Sequence, residues 1–192
     1  MSEKNWETTW KNDNIYAWNP DKDRHETFTV DTPPPTVSGS LHIGHVFSYT
    51  QTDIQVRYQR MSGKNIFYPM GWDDNGLPTE RRVQDFFNVR CDPDEKSVDN
   101  IQEFVEKIDK KSNPVKVSRK NFIELCHIVT TEDEKVFKDL FMKIGLSVDW
   151  SHEYATIQDI PREIAQRSFL DLYNKGHVYN VESPSLWDPE FQ

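Results

Sequence analysis

Two short stretches of the chain hold residue types and spacings that could do chemistry. The first is Gly39-Ser40-Leu41-His42-Ile43-Gly44-His45, between an alternating segment and a helical one. Histidines three residues apart share one face of a helix's first turn. A helix N-terminus also offers unpaired amide N–H groups and roughly half a positive charge, a ready site for a phosphate. Both imidazoles can donate to one phosphate chain. Each charge-assisted bond is worth roughly 1.5–3 kcal/mol. Aimed at a transition state, two such bonds supply roughly two to four orders of magnitude in rate. His42 and His45 are therefore the candidate catalytic pair, and Gly39, Ser40, His42, Gly44 and His45 the candidate phosphate cradle. Gly44 lets a ligand approach the backbone, at a helix-propensity cost of about 1 kcal/mol. With 6 His and 7 Gly in 192 residues, composition alone produces H-x-G-H on the order of once in a hundred such chains. A pair of capping or core histidines is the structural alternative. A metal pair is a third reading, but the Glu of a metalloprotease motif and a third ligand are both absent.

The second stretch is Gly71-Trp72-Asp73-Asp74-Asn75-Gly76-Leu77-Pro78. It follows an apolar segment that reads as a strand. Open parallel sheets bind ligands at the carboxyl ends of their strands, where the histidine turn also lies. A carboxylate there can take an ammonium group. Adjacent aspartates point apart, so one of Asp73 and Asp74 serves structure. A Gly- and Asp-rich surface turn is the plainer alternative. Arg81 and Arg82, opening a helix nearby, suit either a phosphate contact or surface charge.

The elements that must position these groups are legible in outline. Thr27–Asp31 alternates and runs into Pro33-Pro34-Pro35, a strand with a hard stop. A helix is expected from about Leu41 to Met61, with an apolar stripe of Phe47, Ile54, Tyr58 and Met61, ending at Ser62-Gly63. Asn65–Met70 reads as a buried strand, completing a β-α-β unit with a parallel sheet and right-handed crossover. Residues 1–26 read as an N-terminal arm, and 27–192 as one α/β domain with a loose insertion at about 92–117, carrying a short helix near Ile101–Ile108. Two helices should follow. Ser118 caps the first, with Phe122, Leu125 and Ile128. A Thr131-x-x-Glu134 capping box opens the second, with Val136, Leu140 and Ile144. A further helix begins at Asp159 and ends at Gly176, and His177–Val181 reads as a third strand.

Composition narrows the class. The 192 residues hold two cysteines, which excludes a disulfide scaffold and fits a reducing, cytoplasmic setting. No apolar run approaches the roughly 18 residues of a membrane helix, and the polar start is unlike a signal peptide. A net charge of −9 excludes non-specific nucleic-acid binding, though not one local face for a folded RNA.

Pro33-Pro34-Pro35-Thr36-Val37-Ser38-Gly39-Ser40-Leu41-His42-Ile43-Gly44-His45 resembles the first signature of class I aminoacyl-tRNA synthetases, in the form found in valyl-tRNA synthetases. Gly71–Gln84 resembles the matching segment of one branch of that family. Ser118–Cys126, Gly145–Ser151 and Leu186–Pro189 continue the likeness in order, so it spans roughly Trp6 to the end. The resemblance implies the N-terminal half of a Rossmann-like nucleotide-binding fold. It also implies an ATP-dependent ligase that joins valine to its tRNA through valyl-adenylate. ATP would arrive with Mg2+, and no protein-bound metal is expected. Within it, His42 and His45 would hold the ATP phosphates, and Asp73 the valine ammonium. Pro33 and Pro34 would wall the amino-acid pocket, with Trp72 and Thr36 among the substrate-binding residues. Thr36 departs from the Asn of many valine enzymes.

The partners implied are valine, ATP, the valine tRNA and the missing C-terminal part of the synthetase, with no membrane. The family's second ATP signature, K-M-S-K-S, has only Lys116-Val117-Ser118-Arg119-Lys120 as a counterpart, which reads as a helix cap. The chain's last residues would fall where the family leaves the nucleotide fold for an editing domain. Two other functions stay open: a non-catalytic ATP- or RNA-binding relic, and a small nucleotidyltransferase.

Overall fold

The computed structural model describes residues 3–37 and 41–187, with side chains from Trp6 onward. Residues 1–157 form one unit and residues 158–192 another.

The first unit opens with α1 (Glu3–Asn12) and a turn-rich stretch, then β1 (Thr27–Thr29), α2 (Ile43–Met61), β2 (Asn65–Phe67) and β3 (Met70–Trp72). There follow α3 (Leu77–Phe87), β4 (Val89–Cys91), α4 (Ile101–Glu106), β5 (Val115–Val117), the long α5 (Arg119–Lys143) and β6 (Glu153–Ala155). Every strand pair is parallel: β1 with β2, β3 with β6, β4 with β5. The expected β1-α2-β2 crossover is present, and Gly63, at φ +87°, terminates α2.

The strand expected over Asn65–Met70 is two, because Pro69 has no N–H to give the ladder. Backbone bonds still carry the layer across the gap. Val30 donates to the Phe67 carbonyl at 2.9 Å, Asp149 to Tyr68 at 3.0 Å, and Asp73 to Pro35 at 2.9 Å. Alternate residues Ile66, Tyr68, Met70 and Trp72 are all buried, as one face of a sheet should be. Register is not constant. Thr29 lies opposite Phe67 and Thr36 opposite Asp73, so seven residues on the first strand run beside six on its neighbour. The surplus residue falls in the stretch that holds the three prolines.

Helix α2 buries a different face from the one expected. Phe47, Ile54, Tyr58 and Met61 are exposed, while Tyr49, Asp53 and Val56 are buried. Asp53 decides this. Its carboxylate accepts from the Ser147 amide at 2.8 Å, the Ser147 hydroxyl at 2.5 Å and Arg57 Nε at 2.6 Å. The Arg57 guanidinium in turn lies over the Trp10 and Tyr16 rings, so the N-terminal segment packs on α2.

Helix α5 is continuous where two helices were expected. Its N-terminal half packs Phe122 and Leu125 in one core with Val83, Val89, Ile101 and Val117. Its C-terminal half packs Phe137 and Phe141 in the other, with Tyr68, Met70 and Trp72. One unbroken helix satisfies every amide between two anchored ends, and Glu134 is used elsewhere than in a cap. Ser118 does cap α5, accepting from the Asn121 amide at 3.2 Å. The stretch expected to be a loose insertion is ordered by the β4-α4-β5 unit, with Ile101 and Val105 buried.

In the second unit, α6 (Asp159–Asn174) gives way to Gly176 at φ +76°. The strand expected at His177–Val181 is absent; those residues have no regular structure.

Candidate active site

His42 is the N-cap of α2, with extended backbone at φ −132° and ψ 167°. Its Nδ1 accepts from the Gly44 amide at 3.1 Å, and Nδ1 of His45 accepts from the His42 amide at 3.3 Å. The two imidazoles form a reciprocal capping box, a role played elsewhere by Ser or Thr with Glu. Ring centroids are 4.0 Å apart. A neutral imidazole has one donor and one acceptor nitrogen. With Nδ1 accepting in both rings, the proton sits on both Nε2 atoms, which are left as donors. Burial lowers the pKa of His45, and the neighbouring His42 lowers it further, so the neutral form prevails near pH 7. Capping thus fixes the tautomer and leaves a donor free on each ring.

Gly44 has a sharper reason than ligand approach. A Cβ there would stand 2.9 Å from both Cε1 and Nδ1 of His42. Any side chain would expel the imidazole from its cap. Gly39 and Ser40, expected in the same cradle, lie outside the described residues.

Thr36 and Asp73 are neighbours across the parallel bridge. Thr36 Oγ1 donates to Asp73 Oδ2 at 3.3 Å; the Asn75 amide and Thr156 Oγ1 donate to Oδ1 at 3.3 and 3.4 Å. The carboxylate is half-buried at the ends of three parallel segments, as strand-end binding requires. Asn75 and Thr156 were not anticipated. Asn75 stands in the quoted motif, but Thr156 follows β6, a strand with no signal of its own.

Pro33 is exposed and Pro34 half-buried. The Tyr49 hydroxyl donates to the Pro33 carbonyl at 2.6 Å, tying the proline wall to α2. Burial pushes that phenol up to about 12, which keeps it a donor. Trp72, expected among the substrate-binding residues, is instead a core residue. It is 1% exposed, stacks on Phe141 and Trp150, and donates from Nε1 to Glu153 at 2.7 Å. The flat indole fills the core next to Asp73 in the chain. Phe137 connects the two halves of the site, touching the His45 ring edge-on at 5.4 Å and Trp72 at 6.4 Å.

Arg82 is committed to an ion pair with Asp133. Lys116–Lys120 makes no second phosphate loop. Val117 and Ser118 are buried at the β5–α5 junction, and Lys116 pairs with Asp92 at 2.8 Å. Among the described residues, no group of three or more His, Cys, Asp or Glu is placed to hold a metal ion.

Comparison with known proteins gives this geometry a context. A family model described as tRNA synthetases class I (I, L, M and V) matches residues 5–113 and 100–192. The valine–tRNA ligase of Thermobifida fusca is 56% identical over 99% of this chain and 21% of its own length. That of Bifidobacterium longum strain NCC 2705 is 52% identical over the same shares. The chain therefore spans about a fifth of the curated relatives it matches. A crystal structure of the Agrobacterium radiobacter K84 agnB2 LeuRS, in a ternary complex with tRNA and LeuAMS, superposes with a TM-score of 0.64 at 28% identity. The match covers 91% of this chain and 17% of that one.

Proposed function

The chain belongs to the class I tRNA synthetases of the I, L, M and V group, and from that membership we propose that it carries the valine-activating half-site of a valine–tRNA ligase. Valine's carboxylate oxygen attacks the α-phosphorus of ATP, the bond to pyrophosphate breaks, and valyl-adenylate forms. The acyl group then passes to the terminal ribose of the tRNA. ATP enters with Mg2+ as substrate.

One observation supports this reading above the others: both Nδ1 atoms are occupied, by the amides of Gly44 and His42, which leaves two Nε2–H donors at the N-terminus of a 19-residue helix. Donors fixed by the backbone need no reorganisation as charge builds on the phosphates. Asp73, oriented by Thr36, Asn75 and Thr156, supplies the negative end for the ammonium. The Tyr49-tethered prolines wall the side-chain pocket.

The test is valine-dependent ATP–pyrophosphate exchange, run on the 192-residue chain and on the protein at its natural length. His45→Ala is expected to lower the exchange rate at least about a hundredfold while the valine concentration for half-saturation changes little. Asp73→Asn is expected to raise that concentration about tenfold or more. A His45→Ala protein with normal turnover and weakened valine binding would overturn the assignment. The second reading, binding without ligation, draws on the absence of a second phosphate loop at Lys116–Lys120. Exchange that is absent at both lengths, with ATP still bound, would favour it.

A further inference from the structure

Asp73 sits between two tethers that both end on α5. On one side, Trp72 Nε1 donates to Glu153, whose other oxygen pairs with Lys138. On the other, Asp74 is 3% exposed, and neither of its oxygens meets an aligned donor among the described groups. The group that faces it is the carboxyl of Glu134, one turn before Lys138. Two carboxyl groups in contact out of water hold together only with a proton between them. We propose that Glu134 is a positioning residue for amino-acid recognition: protonated, it donates to buried Asp74 and so fixes the neighbouring Asp73 for an α-ammonium group, which binds more weakly once that proton leaves. This rests on the reading of Asp73 as the ammonium acceptor.

The surroundings fit. Burial and then Asp74 push Glu134 up to about 7, with Glu153 raising it further and Lys138 opposing. Asp74 is raised too, by burial and by Asp73, while the facing Glu134 carboxyl and the nearby His127 oppose. Asp133, next to Glu134, is already neutralised by Arg82. Loss of the shared proton therefore leaves two like charges in contact, with Asp73 a third beside them. The turn that carries Asp73 is what gives, since α5 is anchored in both cores.

The test separates the coupling from the function. Carboxyl-13C and amide-15N spectra of the chain are followed from about pH 5 to about pH 9. The Glu134 carboxyl is expected to titrate near neutrality. The Asn75 and Val37 amides, which donate to the Asp73 carboxylate and carbonyl, should shift with the same midpoint. Glu134→Gln supplies a permanent donor and should hold those amides at their acid-form positions throughout. Asp74→Asn, donating the other way, is the second variant. In the protein at natural length, the valine Kd should rise about tenfold across neutrality and stay within about twofold in Glu134→Gln. ATP affinity should not follow. A Glu134 carboxyl that titrates in the ordinary range, or amides that ignore it, would overturn the proposal whatever valine does. Coupled titration without valine binding at any pH would overturn the ammonium reading of Asp73 instead.

Discussion

Gly44→Ala isolates the link between helix capping and phosphate recognition. Alanine in place of glycine inside a helix gains about 1 kcal/mol in propensity. The new Cβ would stand 2.9 Å from the His42 ring, and that ring is an aromatic side chain free to rotate away. Its departure forfeits an N-cap, at a cost of about 1 kcal/mol. The two effects oppose, so thermal or urea unfolding should register a net change within about 0.5 kcal/mol of zero. The cap's contribution emerges in a double-mutant cycle. His42→Ala in the native background should cost about 1 kcal/mol, and the same change made on top of Gly44→Ala nearly nothing, a coupling of about 1 kcal/mol. Imidazole 15N shifts report the same event directly, because His42 loses its fixed tautomer once Nδ1 no longer accepts. Pyrophosphate exchange should fall roughly ten- to a hundredfold despite unchanged stability. Additive unfolding energies, or full exchange with the His42 tautomer lost, would refute the claim that the cap prepares the donor.

Other expectations follow from the ionic groups. Glu134 has a folded-state pKa of about 7, above its ordinary value. Its contribution is therefore complete below the unfolded value and lost as pH rises through neutrality. Urea unfolding should show stability falling by about 2 kcal/mol from about pH 5 to about pH 8, a slope that Glu134→Gln removes. Asp53→Ala leaves the buried Ser147 amide and hydroxyl without their acceptor, and should cost roughly 1–3 kcal/mol in the same assay; a cost below about 0.5 kcal/mol would remove Asp53 as the reason for the buried face of α2. Gly71→Ala puts a Cβ 2.5 Å from the Tyr154 ring, so it should destabilise the chain by roughly 1–3 kcal/mol, and Tyr154→Ala should relieve most of that loss.

Local chemistry was legible in the sequence, and distant partnership was not. A strand, a proline stop and a helix follow from neighbours in the chain, and so do the histidine pair at the helix start and the strand-end aspartate. The apolar residues of α2 suggest a stripe that the fold leaves exposed. The buried face is set by Asp53, whose partner Ser147 lies 94 residues away. The continuity of α5 has a similar cause. Thr131 and Glu134 have the letters of a cap, but Glu134 is drawn to Asp74, and two cores hold the helix straight. Trp72 enters through the family resemblance, whereas strand alternation alone turns it inward beside Met70. Thr156 had no local signal: its place depends on β6 finding β3.

The surplus residue beside the prolines has a consequence of its own. Residues pointing the same way along a strand are two apart. Before the slip, Phe28 and Val30 turn toward the core; after it, Val37 is buried and Thr36 is exposed beside Asp73. One extra residue has exchanged even for odd. The segment between Thr29 and Thr36 thus behaves as a parity switch. Removing one residue would leave six beside six, an unbroken ladder that keeps Thr36 outward beside Asp73 and Val37 inward, whereas removing two would leave five beside six and turn Thr36 inward. Relatives one residue shorter here should keep the hydroxyl at the same place in the motif, and relatives two residues shorter should have moved it by one position to keep it on the aspartate's side.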